Sequence, residues 1–367
     1  MCQSSQTVHS SNTYCVLIES IGRGTPASAA AVAKGLGRPA SEVVRCLYTA
    51  PAVLVEKVDR NVAEQLNELL ESIGYEARVV EMGGFVQETP ELYDISLYLQ
   101  EASKLTTVAN KLSKFIGLSE SDAVQALLNP PGVVLGSVSR ATVAALEALL
   151  DGDADLLACP QNKTLYDVFV GELPEVIRRR LLDDLKSRGI PLLGESGLVA
   201  SSIEISRLED IWQRYKANAG LKVVNQAFLR FDIQLDSSVS DLTDAQIDCF
   251  RRNTDIPENL LAQVVQAAPV TIIESLPKTS LDRVLDDFYK TDIPVSAHLI
   301  TFQSLGLKVI NAQDLSYVNE VLDAFSIGET LQEIPATLPC AFPEIQARVI
   351  RRSLESAGAT VELVSEL

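Results

Sequence analysis

One strand–helix–strand phrase returns along this chain about every 70 residues, and that recurrence constrains the fold more than any other feature. Residues 53–80, VLVEKVDRNVAEQLNELLESIGYEARVV, carry the clearest copy. An apolar strand with Val53, Val55 and Val58 meets a turn. Val62, Leu66, Leu69 and Leu70 follow at helical spacing, which predicts an amphipathic helix with those four on its buried face. Gly74 stands where a helix end calls for positive φ, and YEARVV closes the phrase as a second strand. Further copies read from residues 133–158, 168–193, 270–295 and 336–363, with a weaker one at 203–224. Pro174, Pro277 and Pro343 fall at helix starts, where a missing N–H costs nothing.

A second half precedes several copies. Residues 15–51 hold an apolar strand (Val16, Leu17, Ile18), a helix from Ala29 to Leu36, and another from Ala40 to Tyr48, ending at Pro51. Residues 94–131 and 230–269 repeat it, ending at Pro131 and Pro269. The full unit is β-α-α-β-α-β. The expected fold class is therefore α+β, a tandem array of about five small modules over 14–83, 84–161, 162–228, 229–298 and 299–367. The third is expected to carry the strand–helix–strand half twice, and the fifth a degraded first half. Residues 1–13 are Ser/Thr/Gln-rich and read as a disordered tail.

The end of the chain resembles a known family. PEIQARVIRRSLESAGATVELV, within residues 341–364, is similar to the close of the C-terminal domain of the bacterial ribosomal stalk protein, a helix followed by L-E-x-A-G-A-x-V-E-L. LNELLESIGYEARVV (66–80) looks like the same element. VAKGLGRPASEVVRCLYTAP (32–51) resembles that domain's glycine-turn segment through Gly35, Leu36, Gly37, Val44, Leu47 and Pro51. The resemblance implies a βααβαβ domain, a fold shared with the adaptor of the Clp protease. It covers the first repeat fully and the others mostly in their closing halves. The stalk domain recruits translational GTPases through a basic patch on its two-helix half, which maps onto Lys34, Gly35, Gly37 and Arg38. The lysines that follow the glycines there are replaced here by Pro39, Ala40, Ser41 and Glu42.

Composition narrows the partners. Asp and Glu number 49 against 31 Lys and Arg, a formal charge of −18. Nucleic acids and anionic membranes need the opposite sign, so neither is expected. Six cysteines at wide spacings (Cys2, Cys15, Cys46, Cys159, Cys249, Cys340) read as reduced, mostly buried thiols. With no signal peptide and no apolar run near the roughly 18 residues of a membrane helix, a cytoplasmic location is expected.

His9 lies in the tail, and His298, between Ala297 and Leu299, reads as a buried or interface histidine. The run DGDAD (151–155) lacks the later ligands of a calcium loop and reads as a polar turn. Asp282, Asp286 and Asp287 form another carboxylate cluster. GRGT (22–25) lacks a phosphate-loop ending. Thr25 and Ser28 read as N-cap chemistry, with Pro26 in the first helical turn. No catalytic, cofactor or metal residues are assigned. The main basic run is Arg178, Arg179 and Arg180, either a solvated face paired i,i+4 with nearby acids or a docking site for an acidic partner. Arg251–Arg252 and Arg351–Arg352 read as surface positions. The residues expected to bind a partner are Lys34, Gly35, Gly37, Arg38, Arg178, Arg179 and Arg180. The chain reads as a non-enzymatic, multivalent protein-interaction scaffold with protein partners. A structural subunit of a larger bacterial assembly, self-association included, and an enzyme with a site between modules stay open as alternatives.

Overall fold

The computed structural model describes residues 13–82, 90–99, 101–193, 197–218, 220–239 and 241–364. The expected tail, apart from Thr13 and with Cys2 and His9 in it, lies outside them. Among the described residues the architecture is mixed α+β, with five small antiparallel sheets in chain order. In the first four, the strand that comes first in sequence lies in the middle, flanked by the second and third strands. The first sheet joins Tyr14–Ser20, Ala52–Val58 and Glu76–Glu81, with helices Pro26–Leu36, Ala40–Tyr48 and Arg60–Ser72 between them. The second joins Leu92–Tyr98, Val133–Ser139 and Asp155–Pro160, with helices Leu105–Ile116, Glu120–Leu128 and Arg140–Leu150. The fourth joins Arg230–Leu235, Val270–Pro277 and Val295–Leu299, with helices Asp244–Asn253, Glu258–Gln266 and Lys278–Lys290. These three follow the full βααβαβ order.

The third and fifth are shorter. The third has Leu165–Val170, Leu198–Glu204 and Leu221–Asn225, with helices Glu175–Ser187 and Ile205–Tyr215. The strand expected at the end of 168–193 is absent. Residues 191–193 run as irregular chain, tied to the sheet by a bond from the Leu193 N–H to Val199 O. The fifth has Ser304–Ala312 in the middle, bonded to Ala359–Val364 and to the two-residue strands Ala336–Thr337 and Phe342–Pro343. Its helices are Leu315–Ala324 and Glu344–Ser356, and no second helix follows the first.

Local chemistry explains most element ends. Pro39, Pro174, Pro257, Pro277 and Pro343 all occupy N-cap positions. Gly74 takes φ +94° after helix Arg60–Ser72, which lets the Tyr75 N–H reach back to Leu70 O. The expected stripe of that helix turns inward only in part, at Leu70 and half-buried Leu66. Ala63 and Leu70 are buried, whereas Val62 and Leu69 are 51% and 52% exposed. A four-residue apolar pattern fixes the helix but not which of two adjacent stripes turns inward. Pro51, Pro131, Pro269 and Pro335 follow cis peptide bonds just before the second strand or its counterpart. Among the described residues, no helix is long and apolar enough to cross a membrane.

Most of the first two modules forms one compact unit, and the last three modules, with residues 101–103 and 127–133, form another. Within the first unit, the helical pairs of both modules meet. The Tyr48 hydroxyl donates to Phe115 O at 2.7 Å, and the two rings lie 6.2 Å apart. The buried Thr142 hydroxyl donates to Tyr48 O at 2.9 Å.

Candidate functional site

One polar device recurs in three modules. The central strands open with an aromatic–Asp–aliphatic triplet: Tyr93-Asp94-Ile95, Tyr166-Asp167-Val168 and Phe231-Asp232-Ile233. Opposite each aspartate, the second strand bulges at a serine with left-handed φ: Ser137, Ser202 and Ser275, at +58°, +59° and +56°. The aspartate accepts that serine's N–H, at 3.3, 3.0 and 2.9 Å respectively. A bulge leaves one N–H outside the ladder, and the carboxylate supplies its acceptor. The first module has Cys15 and Lys57 (φ +58°) at these places. The sequence holds a signal, since each bulge reads x-Ser-aliphatic, but aspartate is depleted in strands, so the triplets do not stand out as strand openings.

In the third module, Asp167 also accepts Gln226 Nε2 at 2.7 Å. In the fourth, Asp232 receives an arginine from the fifth. Arg348 Nη2 lies 2.9 and 3.1 Å from its two oxygens. Arg348 Nε donates to Glu344 at 2.8 Å, and Nη1 lies 2.8 Å from Glu274. Arg351 grips both Glu274 oxygens at 2.6 and 3.0 Å. Ser275 Oγ donates to Glu344 at 3.2 Å. Burial raises the Glu344 carboxyl above its ordinary range, against the pull of Arg348. Burial also acts on Glu274, but Arg351 and Arg348 outweigh it and hold that carboxyl low. Arg348 and Glu344 are only 3% and 1% exposed, so a substrate cannot reach them. The cluster ties two modules together. Arg351 was expected at the surface; its side chain is 16% exposed because Glu274 of the neighbouring module holds it.

The expected binding residues fall into two groups. Lys34, Gly35 and Gly37 are exposed at the end of helix Pro26–Leu36, with Gly37 as its left-handed cap. Arg38 is half-buried and occupied. It pairs with Glu42 at 2.9 Å and donates to Leu54 O. Part of the same helical pair meets the second module through Tyr48. Arg178, Arg179 and Arg180 are exposed on helix Glu175–Ser187. The i,i+4 pairing expected there does not form. Asp184 is taken by Arg214 at 2.5 Å and by the Tyr215 hydroxyl at 2.8 Å, and no described carboxylate pairs with the three arginines. Helical geometry puts Arg179 and Arg180 beside Val176, which is 63% exposed.

Other expectations resolve individually. His298 is exposed rather than buried, because its side chain alternates outward from strand Val295–Leu299. Its Nε2 lies 3.0 Å from Ser296 Oγ, which donates to Asp236 at 2.6 Å. The carboxylate thus takes the serine proton instead of orienting the imidazole, the reverse of a nucleophilic triad. Thr25 is an N-cap by position, but its side chain makes no cap bond; Ser28 Oγ donates to Thr25 O instead. In the polar turn, Asp153 accepts Lys104 and Lys111 at 2.9 and 2.6 Å, which hold its carboxyl below the usual range. Of the other carboxylate cluster, Asp282 pairs with Lys278 and Asp287 with Arg283. Cys15, Cys159 and Cys249 are buried free thiols, Cys46 is half-buried and Cys340 is exposed. Among the described residues, no group of His, Cys, Asp and Glu is placed to hold a metal.

In comparisons with protein-family models, curated proteins and solved structures, nothing matches this chain.

Proposed function

We propose that this chain is a non-enzymatic, multivalent protein-interaction scaffold built from stalk-like βααβαβ modules, and that it works in a reducing cytoplasm. The exposed arginines of helix Glu175–Ser187 carry the reading. A run of three cations left without partners in a chain of charge −18 is a local exception to the field of the whole molecule. Arginine is also among the residues enriched at the anchoring centres of interfaces. The ligand class is an acidic segment of another protein. The glycine turn at Lys34, Gly35 and Gly37 adds a second exposed patch, and two patches on one chain give avidity.

The test is fluorescence anisotropy with a glutamate-rich peptide. The intact chain binds it and releases it as salt rises, and R178E/R179E/R180E weakens binding tenfold or more. Equal affinity in the variant sinks the reading. A structural role in a larger bacterial assembly is the second reading, favoured by an open groove in the fifth module.

A further inference from the structure

In four modules, side chains close the corner between the first helix and the turn before the last strand. In the first, the Tyr75 ring fills it, and its hydroxyl donates to Thr25 O at 2.7 Å and bonds Ser28 Oγ at 2.6 Å. Gly24 yields to that ring, because a Cβ there would lie 2.0 Å from it. In the second, Lys104 and Lys111 reach across to Asp153. In the third, Leu173 covers the turn, with Cδ2 only 3.0 Å from where a Cβ on Gly220 would lie. In the fourth, Gln246 Nε2 donates to Thr291 O at 3.1 Å.

The fifth module keeps the backbone anchor of this corner and covers it only with the flexible Gln313 side chain, whose Cδ lies 3.3 Å from where a Cβ on Gly358 would lie. The Gln313 N–H donates to Gly358 O at 3.2 Å, just as the Arg23 N–H donates to Gly74 O at 2.9 Å in the first. Ala359 therefore stands where the first module has Tyr75. Tyr317, at the helix position of Ser28, is 56% exposed. An open groove of about 900 Å³ results, lined by Asp314, Tyr317, Glu320, Val321, Ala324 and Glu355 among others. Its rim carries the carboxylates Asp314, Glu320 and Glu355, and Arg351 Nε lies 3.7 Å from Glu355. The second module supplies two cations of its own to this corner, whereas the fifth presents acids and a bare ring. The missing part is cationic, with an apolar neighbour.

The chain itself carries such a part. We propose that the groove of the fifth module receives the Val176–Arg179–Arg180 face of helix Glu175–Ser187 from a second copy. This inference rests on the reading of that helix as a docking site for an acidic partner, and it names the partner. Arginine stacks on a tyrosine ring and pairs with carboxylates in the same approach. Groove and helix are different surfaces, so the contact is heterologous and leaves one of each free for further copies. The net charge opposes association at long range. At physiological ionic strength screening sets in within about 8 Å, which leaves the local pairs to decide.

Sedimentation velocity over a concentration series at that ionic strength tests it. The wild-type mass rises above the monomer with concentration and shows no fixed stoichiometry. R179E/R180E and Y317A/E320Q each weaken self-association tenfold or more. All four positions are exposed, so circular dichroism stays unchanged. An equimolar mixture of the two variants recovers association and stops at two chains, because each contributes one intact surface. A wild-type chain that sediments as a monomer throughout overturns the inference, as does association indifferent to either variant. The anisotropy experiment separates the two readings. If the monomer still binds the acidic peptide, only the second-copy inference falls; if it does not, both fall.

Discussion

Between the first and second modules the joining side chains are Tyr48, Phe115 and Thr142; between the fourth and fifth they are Arg348, Asp232, Glu274 and Glu344. One joint is neutral: aromatic contact plus hydrogen bonds to backbone carbonyls. The other sinks a guanidinium among three carboxylates. Neutral packing tolerates loss of one partner, because what remains is apolar surface or a single hydrogen-bonding group. A buried ion cluster has already borne a desolvation cost of several kcal/mol per charge, which only the complete set of partners offsets. Similar units have thus been joined in two ways, one robust to single changes and one brittle.

The strongest way to break that contrast is R348A. It strands Glu344 and Asp232 without their cation and costs about 3–5 kcal/mol, read from urea unfolding. A loss below about 1 kcal/mol would make the cluster an ordinary surface pair and erase the distinction. Acid provides the next effect. Arg351 and Arg348 hold the folded Glu274 below its ordinary value of 4.5 despite burial, so Glu274 contributes stability above that pH and loses it as pH falls through the folded value. Glu344, raised by burial, behaves oppositely: its contribution is present below 4.5 and lost as pH rises through its folded value. In a melting-temperature profile against pH, E274Q flattens the acid limb and E344Q flattens the limb above it. Y48F is the smallest change. It removes one hydrogen bond to Phe115 O, costs about 1 kcal/mol, and leaves the pH profile of the wild type intact. A pH profile altered by Y48F would show that the neutral joint is not neutral.

Much of the fold was legible because local rules write it. Alternating valines and helical leucine spacing locate the strands and helices of the first, second and fourth modules, and Pro277 marks a helix start in the fourth. The shortened first half of the fifth was legible too, because residues 325–335 lack a helical pattern. The inward stripe of helix Arg60–Ser72 was not, because neighbouring apolar stripes compete and only tertiary packing decides between Leu69 and Leu70. The joints were hidden for another reason. Asp232 and Arg348 are 116 residues apart, and nothing near either one announces its partner. The exposed arginines are legible in the sequence, but that Arg180 lacks its i+4 partner is not, because Arg214 from the next helix holds Asp184.

The strand made first in its module ends between two made later. Tyr14 faces Val58 on one side and Glu81 on the other, and Leu307 pairs with Leu363 near the chain's end. During synthesis each module therefore emerges from the ribosome with a half-dressed middle strand, whose second row of backbone donors and acceptors waits for residues not yet translated. That bare edge invites a wrong strand. Because the modules come in series, the hazard passes down the nascent chain one unit at a time, and early termination before Ala359 would leave the last edge permanently uncovered.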